Sequence, residues 1–209
     1  KSNLIHGDLP LGGFGMSRYF LDNLMANKAI SNGVTIVKDS VDSVDFEEES
    51  FTVQTNKSGI FYSKITIGAF GKRSALDVKM NRKFIQKKSP YLAVKTHVKG
   101  DFPENLVGLH NFKGGYCGVS KVENDSINLC YITSYSSFQK HKNITEFQEK
   151  VVFKNVHLQK IFKESEAVFE KPLTISQISF ETKNPVENKI IMCGDSAGMI
   201  HPLCGNGMG

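Results

Sequence analysis

The 209-residue chain has no tryptophan, six prolines and four cysteines. No apolar run approaches the ~20 residues that span a bilayer as a helix, so no transmembrane segment is expected. No charged and then apolar leader pattern opens the sequence. Cys117, Cys130, Cys193 and Cys204 form no framework of the secreted disulfide kind and read as reduced, intracellular thiols. Cys193, His201 and Cys204 follow C-x7-H-x2-C without a C-x2-C pair, which is not a zinc pattern. No carboxylate pair or Ser-His-Asp ordering argues for hydrolysis. Internal repeats and low-complexity linkers are also missing.

The composition is that of an ordinary globular protein, 40% hydrophobic and 22% charged with a net charge of +5. The densest basic run is Lys72, Arg73, Lys79, Arg82, Lys83, Lys87 and Lys88. Only Phe84 interrupts it, so the interleaved aromatics of a single-strand binder are lacking. We read a mildly basic surface with no nucleic-acid partner. A cytoplasmic location is expected. The charge also suits peripheral association with an anionic membrane, although no basic amphipathic helix stands out.

Glycines 12, 13 and 15 in LPLGGFGMSR follow no strand and lack the third glycine of a dinucleotide fingerprint. They read as the entry to a helix capped by Ser17, with Phe20, Leu21, Leu24, Met25 and Ala29 on one buried face. Asn32-Gly33 should stop that helix. Val34–Val37 reads as a short strand. SVDSVDF (40–46) and SFTVQT (50–55) alternate as a hairpin around Glu47–Glu49. IFYSKITIGAFG (60–71) ends as an apolar run meeting glycines.

From residue 89 the texture changes. SPYLAVKTHVKG, NLVGLHNF, GGYCGVSKV and SINLCYITS read as four strands of an antiparallel sheet with one covered face. A capping box at Thr145–Gln148 predicts a helix through Val151 and Val152. VHLQKIFKES predicts a second helix, KPLTISQISF a strand, and NKIIMCGD a strand leading into GDSAGMIHPLCGNGMG. Mixed helix and strand layers of this kind imply an α/β (α+β mixed) fold.

That last stretch carries the clearest chemistry. An apolar strand delivers Gly194 and Asp195 to its carboxyl end, where open α/β sheets bind ligands. Asp195 is an acceptor suited to a polyol hydroxyl. Pro202, Gly205, Asn206, Gly207 and Met208 suit a helix start, whose bare amides favour negative charge. His201 could carry a proton near neutrality, or serve as a turn residue. Cys204 reads as a small apolar filler, with a thiol activated at a helix start as the alternative. Tyr116 and Cys117 face either a substrate pocket or the sheet core. His97 and His110 are most simply structural.

The stretch resembles the second flavin motif of FAD-dependent oxidoreductases related to p-hydroxybenzoate hydroxylase. Its Ala-Gly after Gly-Asp and its single proline look most like the geranylgeranyl reductase branch. SRYFLDNLMANKAISNGV resembles the family helix whose early arginine, here Arg18, lies near the FAD. SVDSVDF followed by ITIGAFGKRS resembles the strands leading to the family's second glycine site. The resemblance implies a partial FAD-binding, Rossmann-like domain over residues 1–76 and 185–209, interrupted by an antiparallel-sheet substrate domain over 77–184. It implies non-covalent FAD, with Asp195 on a ribityl hydroxyl and Gly194 in the turn beside it. Gly205, Asn206 and Gly207 would present donors to the pyrimidine edge, and Val41 and Val44 would lie on the adenine side. The sheet would roof the flavin over a small apolar or aromatic substrate.

Several family features are not met. The N-terminal βαβ unit with G-x-G-x-x-G is absent, which implies an internal piece of a longer protein with weak or no FAD affinity on its own. Phe70 stands where the family has an aspartate linked to FAD and pyridine nucleotide. The electron donor is therefore open between NAD(P)H and a donor protein such as a ferredoxin. The family's tryptophan motifs, including those of its halogenases, are unmatched. The leading expectation is an FAD-dependent reductase of an unsaturated apolar substrate. The alternatives are an FAD-dependent monooxygenase, a non-catalytic flavin or nucleotide-binding module, and a β-rich binding domain with a coincidental glycine motif.

Overall fold

A computed structural model describes residues 4–87, 89–176 and 178–200. Helix α1 (Arg18–Ser31) starts where the Ser17 hydroxyl accepts the Phe20 amide at 3.1 Å. It ends at Asn32, with Gly33 at φ 88°, a left-handed turn that glycine adopts without strain. The expected buried face is not buried. Phe20, Leu24 and Met25 are 46%, 50% and 61% exposed. Three-four spacing marks a face, but burial needs a covering element, and none of the described residues buries this one. Residues 34–37 are likewise no strand: they run without ladder pairing, and an apolar run becomes a strand only with a partner for its backbone groups.

Strands β1 (Val41–Glu47), β2 (Ser50–Thr55) and β3 (Ile60–Ser63) form an antiparallel sheet in that order. The β1–β2 turn places Glu48 and Glu49 at φ 46° and 63°, the left-handed pair of a two-residue hairpin. Strand β4 (Ile67–Gly68) precedes helix α2 (Ala75–Lys79), which opens with a reciprocal Ser74–Asp77 capping box.

Strands β5 (Tyr91–Lys99), β6 (Val107–Phe112), β7 (Gly115–Val122) and β8 (Ser126–Ser134) follow, as the alternation predicts. Helix α3 (Tyr135–Phe138) leads to α4 (Ile144–Lys150). The cap of α4 lies two residues before the expected Thr145. Asn143, in extended backbone, accepts the Glu146 amide at 2.9 Å, and Glu146 accepts the Lys142 amide at 2.6 Å. Helix α4 stops at Lys150, and Val152–Lys154 is a tighter turn. Helix α5 (Val156–Glu164) is capped by Asn155. Then come β9 (Glu166–Ala167), β10 (Leu173–Ser176), β11 (Val186–Glu187) and β12 (Ile190–Met192).

The chain divides into two compact units. One joins residues up to Gly33 with Ala93–Thr174; the other joins Val34–Leu92 with residues from Ile175 onward. The first carries most of the six-stranded sheet, in order β10-β5-β8-β7-β6 with β9 beside β5. Its β6–β7, β7–β8 and β5–β9 pairs are antiparallel. Tyr131, Phe147, Ile127, Leu129 and Leu158 are fully buried in its core, where Phe112, Tyr131 and Phe147 meet edge-on or tilted. Cys117 belongs to this core, and burial pushes its thiol up to about 12. The entry segment docks on the same unit. A Cβ at Gly15 would overlap the Lys121 carbonyl, and Glu123 accepts both the Ser17 amide, at 2.8 Å, and the Ser17 hydroxyl.

The second unit carries the β1–β3 sheet and a three-stranded sheet ordered β11-β12-β4. Here β11 and β12 are antiparallel, whereas β12 and β4 run parallel, with Ile191 opposite Ile67 and Met192 opposite Gly68. Phe51, Ile190 and Met192 form its core, with Val44, Phe46, Phe70 and Met80 packed against them. The fold is thus mixed α/β. Among the described residues no helix is long and apolar enough to cross a membrane.

Candidate functional site

In the second unit, β4 and β12 run side by side and deliver two loops from their carboxyl ends, Gly68–Gly71 and Gly194–Gly198. Carboxyl ends of parallel strands are where α/β sheets place ligands. The Cys193 amide donates to the Gly68 carbonyl at 3.0 Å and extends the pairing into the loops. Gly194 takes φ 58° and begins a tight turn through Ser196. A Cβ at Gly194 would meet nothing within 4 Å, so its left-handed backbone, not crowding, calls for glycine. Gly68 differs: a Cβ there would press on the Phe70 ring and the Met192 sulfur.

Two buried cations hold these loops. Lys183 is 7% exposed. Its Nζ donates to the Lys72 carbonyl at 2.9 Å and the Asp195 carbonyl at 2.6 Å, and lies 4.2 Å from the centre of the Phe84 ring. Burial pushes this ammonium below the ordinary lysine value, and Asp77 opposes the shift. Arg82 is 2% exposed. It donates to Asp77 Oδ1 at 2.8 Å, the Ser196 carbonyl at 3.0 Å and the Asn184 carbonyl at 3.1 Å. Glu187 lies 3.6 Å from its Nε. The buried Ser196 hydroxyl donates to the Gly71 carbonyl at 3.1 Å and ties the loops directly.

A cleft of about 550 Å³ opens beside the turn, lined in part by Phe180, Lys183, Gly194, Asp195, Ala197 and Ile200. The Asp195 carbonyl is taken by Lys183, but among the described residues none donates a hydrogen bond to the Asp195 carboxylate. This is a half-buried acceptor on a fixed backbone at the edge of a cleft. It can receive a hydroxyl or amide donor from a bound molecule without breaking an internal bond.

The expected site residues fall in several places. Gly194 and Asp195 sit together at the end of β12. Val44 packs on the Phe51–Ile190–Met192 core, while Val41 is 38% exposed on the same strand. Arg18 lies on α1 in the first unit, exposed and paired with Asp22 at 2.9 Å. Pro202, Gly205, Asn206, Gly207 and Met208 lie outside the described residues, as do His201 and Cys204. Sequence reasoning missed Asp77, Lys183 and Ser196, and it counted Arg82 as surface charge. The Ser74-Ala-Leu-Asp77 capping pattern was the one readable signal among them. Nothing local marks Arg82, whose Ser196 partner lies 114 residues away.

No family model matches the chain, and no curated protein matches it. Solved structures do. A flavoprotein/dehydrogenase from Cytophaga hutchinsonii superposes with TM-score 0.74 at 17% identity, over 91% of this chain and 49% of that one. The myxobacterial chondrochloren halogenase CndH, a variant of the FAD-dependent halogenases, gives 0.72 at 15% identity, over 97% and 50%. Halogenase PltM in complex with phloroglucinol and FAD gives 0.66 at 12%, over 90% and 42%. The chain therefore spans half or less of each of these proteins, and at such identities the likeness establishes a shared fold.

Proposed function

We propose that this chain is part of an FAD-dependent oxidoreductase whose second unit holds the flavin at the carboxyl ends of β4 and β12. The observation that carries the reading is the Asp195 carboxylate beside a cleft, which accepts no hydrogen bond from any described residue, on a turn immobilised from behind by Lys183 and Arg82. The fold shared with flavin-dependent enzymes supports it. When bound, FAD supplies the redox chemistry. The protein's part is to bind and orient. Asp195 accepts a ribityl hydroxyl, and Gly194 keeps the turn free of a side chain on its cleft side. Gly205, Asn206 and Gly207 are proposed as backbone donors to the pyrimidine edge. Arg18, Val41, Val44, Pro202 and Met208 complete the proposed contacts.

The finer reading is a flavin reductase acting on an unsaturated apolar substrate, favoured by the Ala197-Gly198 variant of the motif. Hydroxylation of an aromatic or apolar substrate is the second reading. Phe70 lies inward, against the Phe51–Ile190–Met192 core. As a phenylalanine in place of the family's aspartate it offers no carboxylate to a pyridine nucleotide, and on that ground a donor protein is favoured over NAD(P)H. The test uses the natural protein purified in the dark and scanned for a bound-flavin spectrum. Anaerobic reduction is then followed with NADPH and, separately, with reduced ferredoxin. A colourless protein that takes up no added FAD sinks the proposal. Rapid reduction by NADPH overturns the donor reading alone.

A further inference from the structure

Lys183 and Arg82 hold the turn after β12 by its backbone. Both are almost wholly buried, and a buried ammonium or guanidinium is costly unless every donor is used. Here the donors are spent on backbone. Lys183 takes the Lys72 and Asp195 carbonyls and rests its third side over Phe84. Arg82 takes the Ser196 and Asn184 carbonyls and is balanced by Asp77. An ammonium so engaged is not free to attack a substrate. Lys183 holds one carbonyl after β4, that of Lys72, and one after β12, that of Asp195, and Arg82 holds the next carbonyl along, that of Ser196. Between the two held carbonyls, Asp195 lines the cleft, and its carboxylate accepts no hydrogen bond from any described residue.

We infer that Lys183 and Arg82 are positioning residues: together they clamp the peptide groups flanking the Asp195 side chain and so aim its carboxylate at a hydroxyl-bearing ligand in the cleft. The inference rests on the flavin reading for the ligand's identity, but the clamp itself does not. Its charge is part of the design. A neutral side chain of similar length would fill the space yet leave the Lys72 and Asp195 carbonyls buried and unpaired. Preorganisation of this kind is worth ~10–100-fold in ligand affinity when supporting groups behind a binding residue are removed.

The experiment compares Lys183→Met, Lys183→Arg and the milder Ser196→Ala with wild type, all in the natural protein. Two readouts are taken: hydrogen exchange of the Ala197 and Gly198 amides, which donate to the Gly194 carbonyl at 2.8 and 3.2 Å, and the dissociation constant for added FAD. The expected result for Lys183→Met is faster exchange at both amides, with FAD binding weakened ~10–100-fold. Lys183→Arg should restore most of both. Ser196→Ala keeps both cations and loses only the tie to Gly71, so it should retain most of the protection and most of the affinity; a loss as large as that expected for Lys183→Met would place the restraint in that tie and overturn the clamp, even where Lys183→Met fails to fold. Unchanged exchange in Lys183→Met also overturns the clamp. Faster exchange with undiminished FAD affinity overturns its role in aiming Asp195. If wild type itself binds no flavin, the proposed function fails, while the exchange result still decides the clamp.

Discussion

Arg82 and Asp77 form a salt bridge at 2.8 Å in which the arginine is 2% exposed and the aspartate wholly buried. The same Nη1 reaches across to the Ser196 carbonyl at 3.0 Å, so one ion pair ties helix α2 to the turn after β12. Removing one partner strands the other charge in the interior, at a cost of ~3–5 kcal/mol. Asp77→Ala should therefore lower the urea midpoint sharply with little change in slope. Replacing both partners with apolar residues should be far milder. A single Asp77→Ala that leaves the midpoint unmoved would show the pair to be dispensable.

The entry segment yields a second prediction. Glu123 takes two hydrogen bonds from Ser17, and Gly15 passes too close to the Lys121 carbonyl for any side chain. Gly15→Ala should lift residues 15–17 from the carboxyl end of β7 without unfolding the sheet. Limited proteolysis should then cut that segment faster, while the rest of the first unit stays resistant. Glu123→Gln should act in the same direction more weakly, since an amide still accepts one of the two bonds. Equal cleavage rates in all three proteins would refute the docking.

The elements most legible in the sequence are those whose signals are local. Strands β1, β2, β7 and β8 alternate, and the turn between β7 and β8 carries Asn124-Asp125 at φ 58° and 55°, residue types that tolerate left-handed backbone. Ser17 and Asn32-Gly33 mark both ends of α1. What stayed hidden depends on partners distant in the chain. Val34–Val37 has the composition of a strand but no ladder partner among the described residues. Phe20, Leu24 and Met25 have helical spacing but no covering surface among the described residues. Asn143 displaced Thr145 as the cap because the choice between adjacent polar residues is set by backbone geometry. Asp195 was readable because Gly-Asp follows an apolar strand. The cations that fix it were not, because Lys183 and Arg82 look in sequence like any other surface charges.

A pH dependence follows from the first unit. Burial is the main cause holding His97 and His110 below the ordinary histidine value of 6.5; Lys95 adds to it for His97, and His157 for His110. Below 6.5 the unfolded chain thus binds protons that the folded chain refuses. Stability rises with pH wherever the unfolded state binds more protons. These two histidines therefore cost nothing above neutrality and destabilise the fold progressively as pH falls through and below 6.5. Melting temperature should drop between pH 7.5 and 5. His110→Gln should flatten part of that slope, and a slope identical in wild type and variant would remove His110 as a cause.

Asp195 separates the binding role from a structural one. Its backbone is fixed by Lys183 and by the Ser196 links, whereas no described residue donates to its carboxylate. Asp195→Ala should therefore leave the melting temperature within a few degrees of wild type. If the carboxylate takes a ligand hydroxyl, its removal forfeits a charge-assisted hydrogen bond of ~1.5–3 kcal/mol. Each ~1.4 kcal/mol is tenfold, so FAD should bind the natural protein about ten- to a hundredfold more weakly. Asp195→Asn keeps an acceptor oxygen without the charge and should fall between the two. A large loss of stability in Asp195→Ala, with FAD affinity intact, would mean that the residue serves the turn and not the ligand.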